Sequence, residues 1–206
     1  MGSVVSEYYI METGNNNKLE TLLKTAHELF MRHGIRRISV EEICAEANIS
    51  KMTFYKYFKN KIELSKYLLR QVSEEQMDNY RKIMNRQIPF EEKVKYLIQL
   101  KNDQSSMISQ EFYDDLCKNP IPELDELLAK LREESLREVL KDFKDASKNG
   151  DIRKDVKPEF IIYIMKQFAE MSNDENLKDL YDTQNEVVME LTNFLFYGIL
   201  ALRRTT

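Results

Sequence analysis

The sequence predicts an all-α protein, and three observations support that prediction. Glycine and proline are scarce, with five and four residues in a chain of 206. Hydrophobic residues make up 42% of the chain, and over long charged stretches they recur three and four positions apart, which is typical of helices that bury one face. Pairs of helix-capping residues separate these stretches. We therefore expect about nine helices: an N-terminal three-helix module and a larger helical body.

The first helix is expected to follow a short irregular segment. Residues 1–16 show no consistent period and end in Asn residues, so they are expected to form a flexible N-terminal arm. Asn17 and Glu20 have the spacing of a capping pair. Gly34 ends the helix, since glycine favours the left-handed conformation found at helix C-termini.

The stretch 38–61 predicts two short helices joined by a tight turn. Ser39 and Glu42 have the spacing of a capping box, so a helix begins directly after Ser39. Asn48 is expected at the turn, because Asn tolerates a positive φ. Ser50 is then placed to cap the second helix. This arrangement is a helix-turn-helix.

The second helix of this motif, over residues 51–58, has an apolar side and a polar, aromatic side. Phe54 and Phe58 lie four residues apart and share the apolar side. The major groove of B-DNA admits an α-helix, and lysines suit a phosphate backbone. The residues expected to contact DNA are Ser39, Lys51, Met52, Thr53, Tyr55, Lys56, Tyr57 and Lys61.

Charge is distributed unevenly along the chain. The net charge is −4, yet residues 18–70 hold 11 Lys and Arg against 6 Asp and Glu. Residues 71–206 hold 20 basic and 27 acidic residues. A basic module joined to an acidic body is the asymmetry expected when one part of a protein binds DNA.

The residues over about 18–66 also resemble a known family. They are Ala26, Phe30 and Gly34, then ISVEEICAEANIS, then Thr53-Phe54-Tyr55, Phe58, Lys61 and Leu64. Their order and spacing resemble the TetR family of bacterial transcriptional regulators. Two positions depart from the family pattern. Asn48 stands where the turn usually carries Gly, and Met52 stands where a small residue is common, which is expected to alter the base step that is read.

The resemblance implies a helix-turn-helix DNA-binding domain over 17–66, followed by a helical ligand-binding and dimerisation domain over 67–206. Within the body, periodicity and caps predict helices over about 60–86, 90–102, 107–117, 122–148, 158–171 and 183–203. The family's regulators bind a small effector inside this body. The candidate lining residues are Tyr80, Met84, Leu97, Met107, Phe112, Phe143, Met165 and Phe168, although such side chains also form ordinary cores. The effector is expected to be apolar or amphiphilic.

The last helix carries an apolar stripe with two interpretations. It either forms intramolecular core or, as the resemblance implies, packs against a second copy of the chain. A dimer also suits two recognition helices that read half-sites about 34 Å apart. The residues expected at a homodimer interface are Val188, Leu191, Leu195, Gly198, Ile199 and Leu202.

These observations favour a ligand-responsive repressor that binds a palindromic DNA operator and releases it when the effector binds. The alternative is a helix-turn-helix protein whose acidic body docks a protein partner. An enzyme is disfavoured, because the sequence lacks a G-x-S-x-G elbow, a phosphate-binding glycine loop and a metal-ligand cluster. No cofactor and no metal are expected, and the two cysteines, Cys44 and Cys117, have no metal-ligand spacing. With no long apolar run and no leader, the chain is expected in the cytoplasm, away from the membrane.

Overall fold

The computed structural model describes residues 17–200, and the all-α prediction is confirmed for them. The helices are α1 (Asn17–His33), α2 (Val40–Glu46), α3 (Lys51–Tyr57), α4 (Lys61–Met84), α5 (Phe90–Ser106), α6 (Gln110–Tyr113), α7 (Pro122–Asn149), α8 (Pro158–Met171), α9 (Glu175–Lys178) and α10 (Gln184–Ile199). A π-helical turn, Asp114–Lys118, directly follows α6. The predicted arm over 1–16 lies outside the described residues.

The first of two compact units contains the residues up to Gln71 together with Ser109–Asp125. Helix α1 buries Leu22, Leu23 and Ala26, and both α2 and α6 pack against α1. Gly34 ends α1 with φ +80 and donates its N–H to the Phe30 carbonyl at 2.8 Å. A second chain segment thus completes the N-terminal module, which the sequence-based division at residue 66 did not include.

The segment after α5 differs from the single helix predicted over 107–117. Helix α5 runs on to Ser106, and a new helix starts where Ser109 accepts a hydrogen bond from the Phe112 N–H at 3.1 Å. Only four residues of α-helix follow before the π-helical turn begins. The N-cap at Ser109 therefore starts a new helix within residues 107–117, which hydrophobic periodicity alone predicts to be a single helix.

The second unit, Val72–Ile108 with Glu126–Thr206, has its own hydrophobic core. Four of its side chains, Val94, Phe143, Ile152 and Ile161, are almost fully buried. Helix α10 packs on both α5 and α8. Side chains from elements far apart in the sequence therefore meet in one core.

Helix α10 turns a different face inward from the one predicted for a dimer. Leu195 is only 8% exposed and Ile199 is also buried, and both belong to the core of their own unit. The exposed side chains are instead Phe194, at 75%, and Tyr197. The assignment of Leu195 and Ile199 to a dimer interface is thus wrong for this fold, because the periodicity located a stripe without showing what it packs against. Leu202 lies outside the described residues.

The connector between α7 and α8 closes the C-terminal end of α10. Gly150 adopts φ +80, and Ile152 forms a β-bridge with Leu200. Arg153 donates its backbone N–H to the Ile199 carbonyl and its guanidinium to the Gly198 carbonyl, each at 3.0 Å. These contacts satisfy carbonyls that a helix end leaves without intrahelical partners. Across residues 17–200, no helix has both the length and the hydropathy needed to cross a membrane.

Candidate nucleic-acid interface

Helices α2 and α3 form the predicted helix-turn-helix. Ser39 accepts a hydrogen bond from the Glu42 N–H at 3.1 Å, and the Ser39 N–H donates to the Glu42 carboxylate at 2.7 Å. Both halves of the predicted capping box are therefore present. Asn48 adopts φ +51 at the turn, and Ser50 accepts a hydrogen bond from the Thr53 N–H at 3.1 Å. Short-range hydrogen bonds thus fix where each helix starts.

An aromatic cluster holds α3 in place from its buried side. Phe54 is fully buried, and its ring centroid lies 6.2 Å from that of Phe58. The Phe58 ring in turn lies 5.7 Å from Tyr67, on α4. Tilted and edge-on contacts of this kind stabilise aromatic pairs. Since Phe54 anchors one side of α3, the opposite side is directed to solvent.

That solvent side is the candidate DNA-reading surface. Met52 is 86% exposed and Tyr55 is 54% exposed, and Lys56 is exposed as well. A seven-residue helix is about 10 Å long, which fits within the major groove. Thr53 and Tyr57 are half-buried, and the Thr53 hydroxyl lies 3.0 Å from that of Ser50. The exposed set therefore combines an apolar side chain, a phenol and an ammonium group.

Lys51 belongs to the predicted DNA-contacting set but already has an acidic partner. Its ammonium forms an ion pair with Glu41 on α2. The hydrogen bond from Lys51 lowers the pKa of Glu41, and the same bond raises the pKa of Lys51. Both side chains are exposed, so a phosphate would compete with Glu41 for this lysine.

The environment of Lys61 differs from that expected of a lysine that contacts a phosphate. Its ammonium donates to the carbonyl oxygens of Ile35, at 2.6 Å, Arg36, at 3.0 Å, and Ile38, at 2.6 Å. An ammonium has three hydrogens to donate, so all of them are engaged. Burial lowers the pKa of Lys61, against the opposing influence of Asp115. Lys61 therefore holds the loop before α2 in place through three hydrogen bonds. This geometry does not favour the predicted phosphate contact.

Ser39 was also predicted to contact DNA. Its hydroxyl accepts from the Glu42 N–H and donates to the Glu42 carboxylate, at 2.7 Å. One lone pair remains for a further donor, but phosphate oxygens are acceptors. To donate to a phosphate, the Ser39 hydroxyl would therefore have to give up its hydrogen bond to the Glu42 carboxylate.

A buried carboxylate holds the other side of the same loop. Asp115, in the π-helical turn, accepts from the Arg36 backbone N–H at 2.9 Å and from its guanidinium at 3.1 Å. The guanidinium also donates to the carbonyls of Asn119, at 2.6 Å, and Pro120, at 3.2 Å. A Cβ on Gly34 would lie 2.8 Å from an Asp115 carboxylate oxygen. Sequence reasoning missed this site, because its halves are 79 residues apart.

Comparison with known proteins identifies this module. Residues 22–68 match the model of the family described as bacterial regulatory proteins, tetR family. The match spans most of α1, the whole helix-turn-helix and the start of α4. Residues 22–68 are a TetR-family DNA-binding domain. Proteins of this family are DNA-binding transcriptional regulators.

Solved structures share the fold over nearly the whole chain. The fatty acid degradation regulator FadR from Bacillus halodurans superposes with a TM-score of 0.69 at 19% identity, over 93% of this chain and 100% of that one. SCO4454, a TetR-family transcriptional regulator from Streptomyces coelicolor, gives 0.70 at 15% identity, over 97% of each chain. SmeT, the repressor of the Stenotrophomonas maltophilia multidrug efflux pump SmeDEF, gives 0.67 at 15% identity, over 91% of this chain and 94% of that one. No curated protein matches the sequence.

The predicted effector-lining residues divide into two groups. Six of the eight belong to or pack against the core of the second unit: Tyr80, Met84, Leu97, Phe143, Met165 and Phe168. The other two do not. Met107 is 62% exposed, and Phe112 is buried in the first unit. These two assignments are corrected, because the cap at Ser109 starts a new element and redirects both side chains.

The second unit also presents aromatic side chains to solvent on two packed helices. On α8 they are Phe160 and Tyr163, and on α10 they are Phe194 and Tyr197. The Phe168 and Phe194 rings, one from each helix, lie 6.4 Å apart. Large apolar surfaces of this kind mark interaction sites on soluble proteins. We call these four exposed side chains, Phe160, Tyr163, Phe194 and Tyr197, the aromatic surface.

Proposed function

We propose that this protein is a ligand-responsive transcriptional repressor that binds a palindromic DNA operator as a homodimer. The observation that carries the proposal is the exposed side of α3, where Met52, Tyr55 and Lys56 project from a helix anchored by Phe54. The basic charge of residues 18–70 supports the same interpretation, because lysines and arginines displace counterions from DNA. A repressor of this kind acts in the cytoplasm, where the operator lies.

Each exposed group on α3 has a specific role in this proposal. Lys56 contacts a phosphate, and the Tyr55 hydroxyl donates to a second phosphate or a base acceptor. Met52, with its unbranched apolar side chain, packs against a thymine methyl. Lys61 and Asp115 do not touch DNA; they fix the loop that sets the position of α2.

The aromatic surface supports the homodimer. Its four side chains are exposed in a single chain on α8 and α10, which pack together, and pairing with a second copy removes these rings from water. A symmetric pair uses the same surface on both subunits. Two copies of α3 then read half-sites about 34 Å apart, or a multiple of that distance. A different protein on the same surface is the competing possibility, and a mass measurement separates them.

The second unit supports effector binding. Six of the predicted lining residues belong to one core or pack against it, and the adaptable side chains of Met77, Met84 and Met165 lie at its edge. Two proteins of similar fold are described as a fatty acid degradation regulator and the repressor of a multidrug efflux pump. An effector that binds better to the DNA-free arrangement shifts the population off the operator, by no more than its differential affinity.

The proposal is tested by selecting operator sequences from random duplex DNA with the purified protein. We expect a palindromic site whose affinity falls steeply with salt. Tyr55→Ala should weaken binding to the selected site, measured by fluorescence anisotropy, while its circular dichroism spectrum stays that of the wild type. The matched control is Tyr96→Ala, another exposed tyrosine, which lies in the second unit. Failure to enrich any sequence, or equal affinity of Tyr55→Ala and wild type, would contradict the proposal.

A further inference from the structure

The two lysines of α3 differ in their partners. Lys56 is exposed and forms no ion pair with a described residue. The Lys51 ammonium, by contrast, is paired with the Glu41 carboxylate on α2, and both side chains are more than half exposed. A helix that binds DNA gains affinity from every free lysine, so a carboxylate that occupies one of them needs an explanation.

The ion pair is not needed to hold α2 against α3. The two helices already pack together, with Ile43 and Cys44 buried on α2 and Phe54 buried on α3. Exposed ion pairs add little to stability, because water and salt screen both charges. The pair therefore affects what Lys51 can bind more than how the module folds.

Lys51 lies at a position suited to contact a base. It is the first residue of α3, directly after the cap at Ser50, and the N-terminal residues of a recognition helix are those that reach base edges. An ammonium has three hydrogens to donate, so two remain when one is directed to Glu41. Guanine presents two acceptors in the major groove, O6 and N7, and a lysine can donate to both.

The charge of Glu41 distinguishes such a guanine from a phosphate. A phosphate that approaches Lys51 also approaches the Glu41 carboxylate, and the two anions repel each other. The guanine acceptors carry no net charge and avoid this repulsion. Non-specific binding depends on phosphates, whereas base contacts carry the sequence information. A carboxylate beside this lysine therefore weakens binding to the wrong sequence more than binding to the right one.

We propose that Glu41 is a positioning residue that directs Lys51 to a guanine of the operator and keeps it from the phosphates of other DNA. Glu41 thereby raises the ratio of operator affinity to non-specific affinity, although it contacts no base itself. This inference rests on the proposed function and adds a determinant of sequence specificity to it.

Fluorescence anisotropy with two labelled duplexes tests the proposal: the selected operator and a duplex of the same length and scrambled sequence. Glu41→Gln should tighten binding to the scrambled duplex by roughly twofold to fivefold, the range expected when an exposed ion pair no longer competes. The salt dependence of that binding should steepen by about one unit, because Lys51 gains a phosphate. Operator affinity should stay within about twofold of wild type. Operator selection repeated with Lys51→Met should lose the preference for one guanine in each half-site.

The controls separate the ion pair from a general effect of charge. Glu46→Gln removes the same charge from another exposed position of α2 and should leave the salt dependence unchanged. In the Lys51→Met background, Glu41→Gln should have no effect on non-specific binding, because Glu41 acts through the lysine. Equal tightening by Glu46→Gln, an unchanged salt dependence in Glu41→Gln, or an unchanged guanine preference in Lys51→Met would each overturn the proposal. All three results require a wild type that binds its operator, whereas a wild type that binds none would overturn the proposed function itself.

Discussion

The helix-turn-helix and the second unit are held together by contacts that span very different distances along the chain. In the helix-turn-helix, Ser39 pairs with Glu42 and Ser50 with Thr53, each three residues away. In the second unit, Arg81 pairs with Glu138 and Arg153 with Gly198, 57 and 45 residues away. The helix-turn-helix is therefore a locally determined motif, whereas these contacts of the second unit depend on which helices meet. This difference lets the sequence predict the helix-turn-helix but not the packing of the second unit.

The largest effect is expected from removing one buried ring in each unit. Phe54→Ala and Phe143→Ala should each lower the free energy of unfolding by about 3–5 kcal/mol, because both rings are buried and each deletion leaves a cavity. Guanidinium denaturation followed by circular dichroism measures both values. Met52→Ala, at an exposed position of α3, should change stability by less than about 0.5 kcal/mol. A loss below about 1 kcal/mol for Phe54→Ala would show that the ring does not anchor α3.

The next effect distinguishes the two faces of α10. Phe194→Asp should convert the dimer into a folded monomer, because this side chain is exposed within one chain and is proposed to meet the partner. Leu195→Asp, its neighbour, should destabilise the fold by placing a charge in the core. Light scattering after size exclusion gives the mass, and circular dichroism gives the helix content. A dimeric Phe194→Asp protein would exclude the aromatic surface as the dimer interface.

A smaller effect separates the two lysines, both predicted to bind DNA. Lys61→Met should lower the free energy of unfolding by about 1–3 kcal/mol, because it leaves three loop carbonyls without their donor. Lys56→Met should leave stability unchanged and reduce the salt dependence of operator binding by about one unit. Denaturation and anisotropy titrations at several salt concentrations measure the two quantities. If Lys61→Met alters only the salt dependence, Lys61 contacts phosphate after all.

The smallest expected effect is a pH dependence that arises in the first unit. Burial lowers the pKa of His27 below its ordinary value of 6.5, although Glu28 opposes the shift. As pH falls below about 6.5, the unfolded chain therefore takes up the proton before the folded one, and stability decreases until the folded pKa is passed. Comparing the free energy of unfolding at pH 7.5 and 5.5 should show a smaller loss for His27→Gln than for wild type. An identical loss in both proteins would show that His27 does not titrate differently on folding.

The helix-turn-helix could be predicted from the sequence because its determinants are short-range. The capping box at Ser39, the positive φ of Asn48 and the cap at Ser50 all follow from side-chain chemistry within four residues. The bond from Asp115 to Arg36 and the engagement of Lys61 by loop carbonyls could not be predicted. Both depend on segments brought together only by folding.

The second unit shows the limit of periodicity. A period of 3.6 residues locates an apolar stripe on α10, but Leu195 and Phe194 are adjacent in the sequence and face opposite environments. Only the packing of α10 on α5 and α8 decides which of them is buried.

Photo-crosslinking tests most directly whether the exposed side of α3 reads DNA. The photoreactive residue p-benzoylphenylalanine replaces Met52 in one protein and Tyr96 in another, and each is irradiated with the selected operator. We predict crosslinks from position 52 to bases at two symmetric points about 34 Å apart, or a multiple of that distance, and none from position 96. Crosslinks from position 96 in the absence of crosslinks from position 52 would contradict the account.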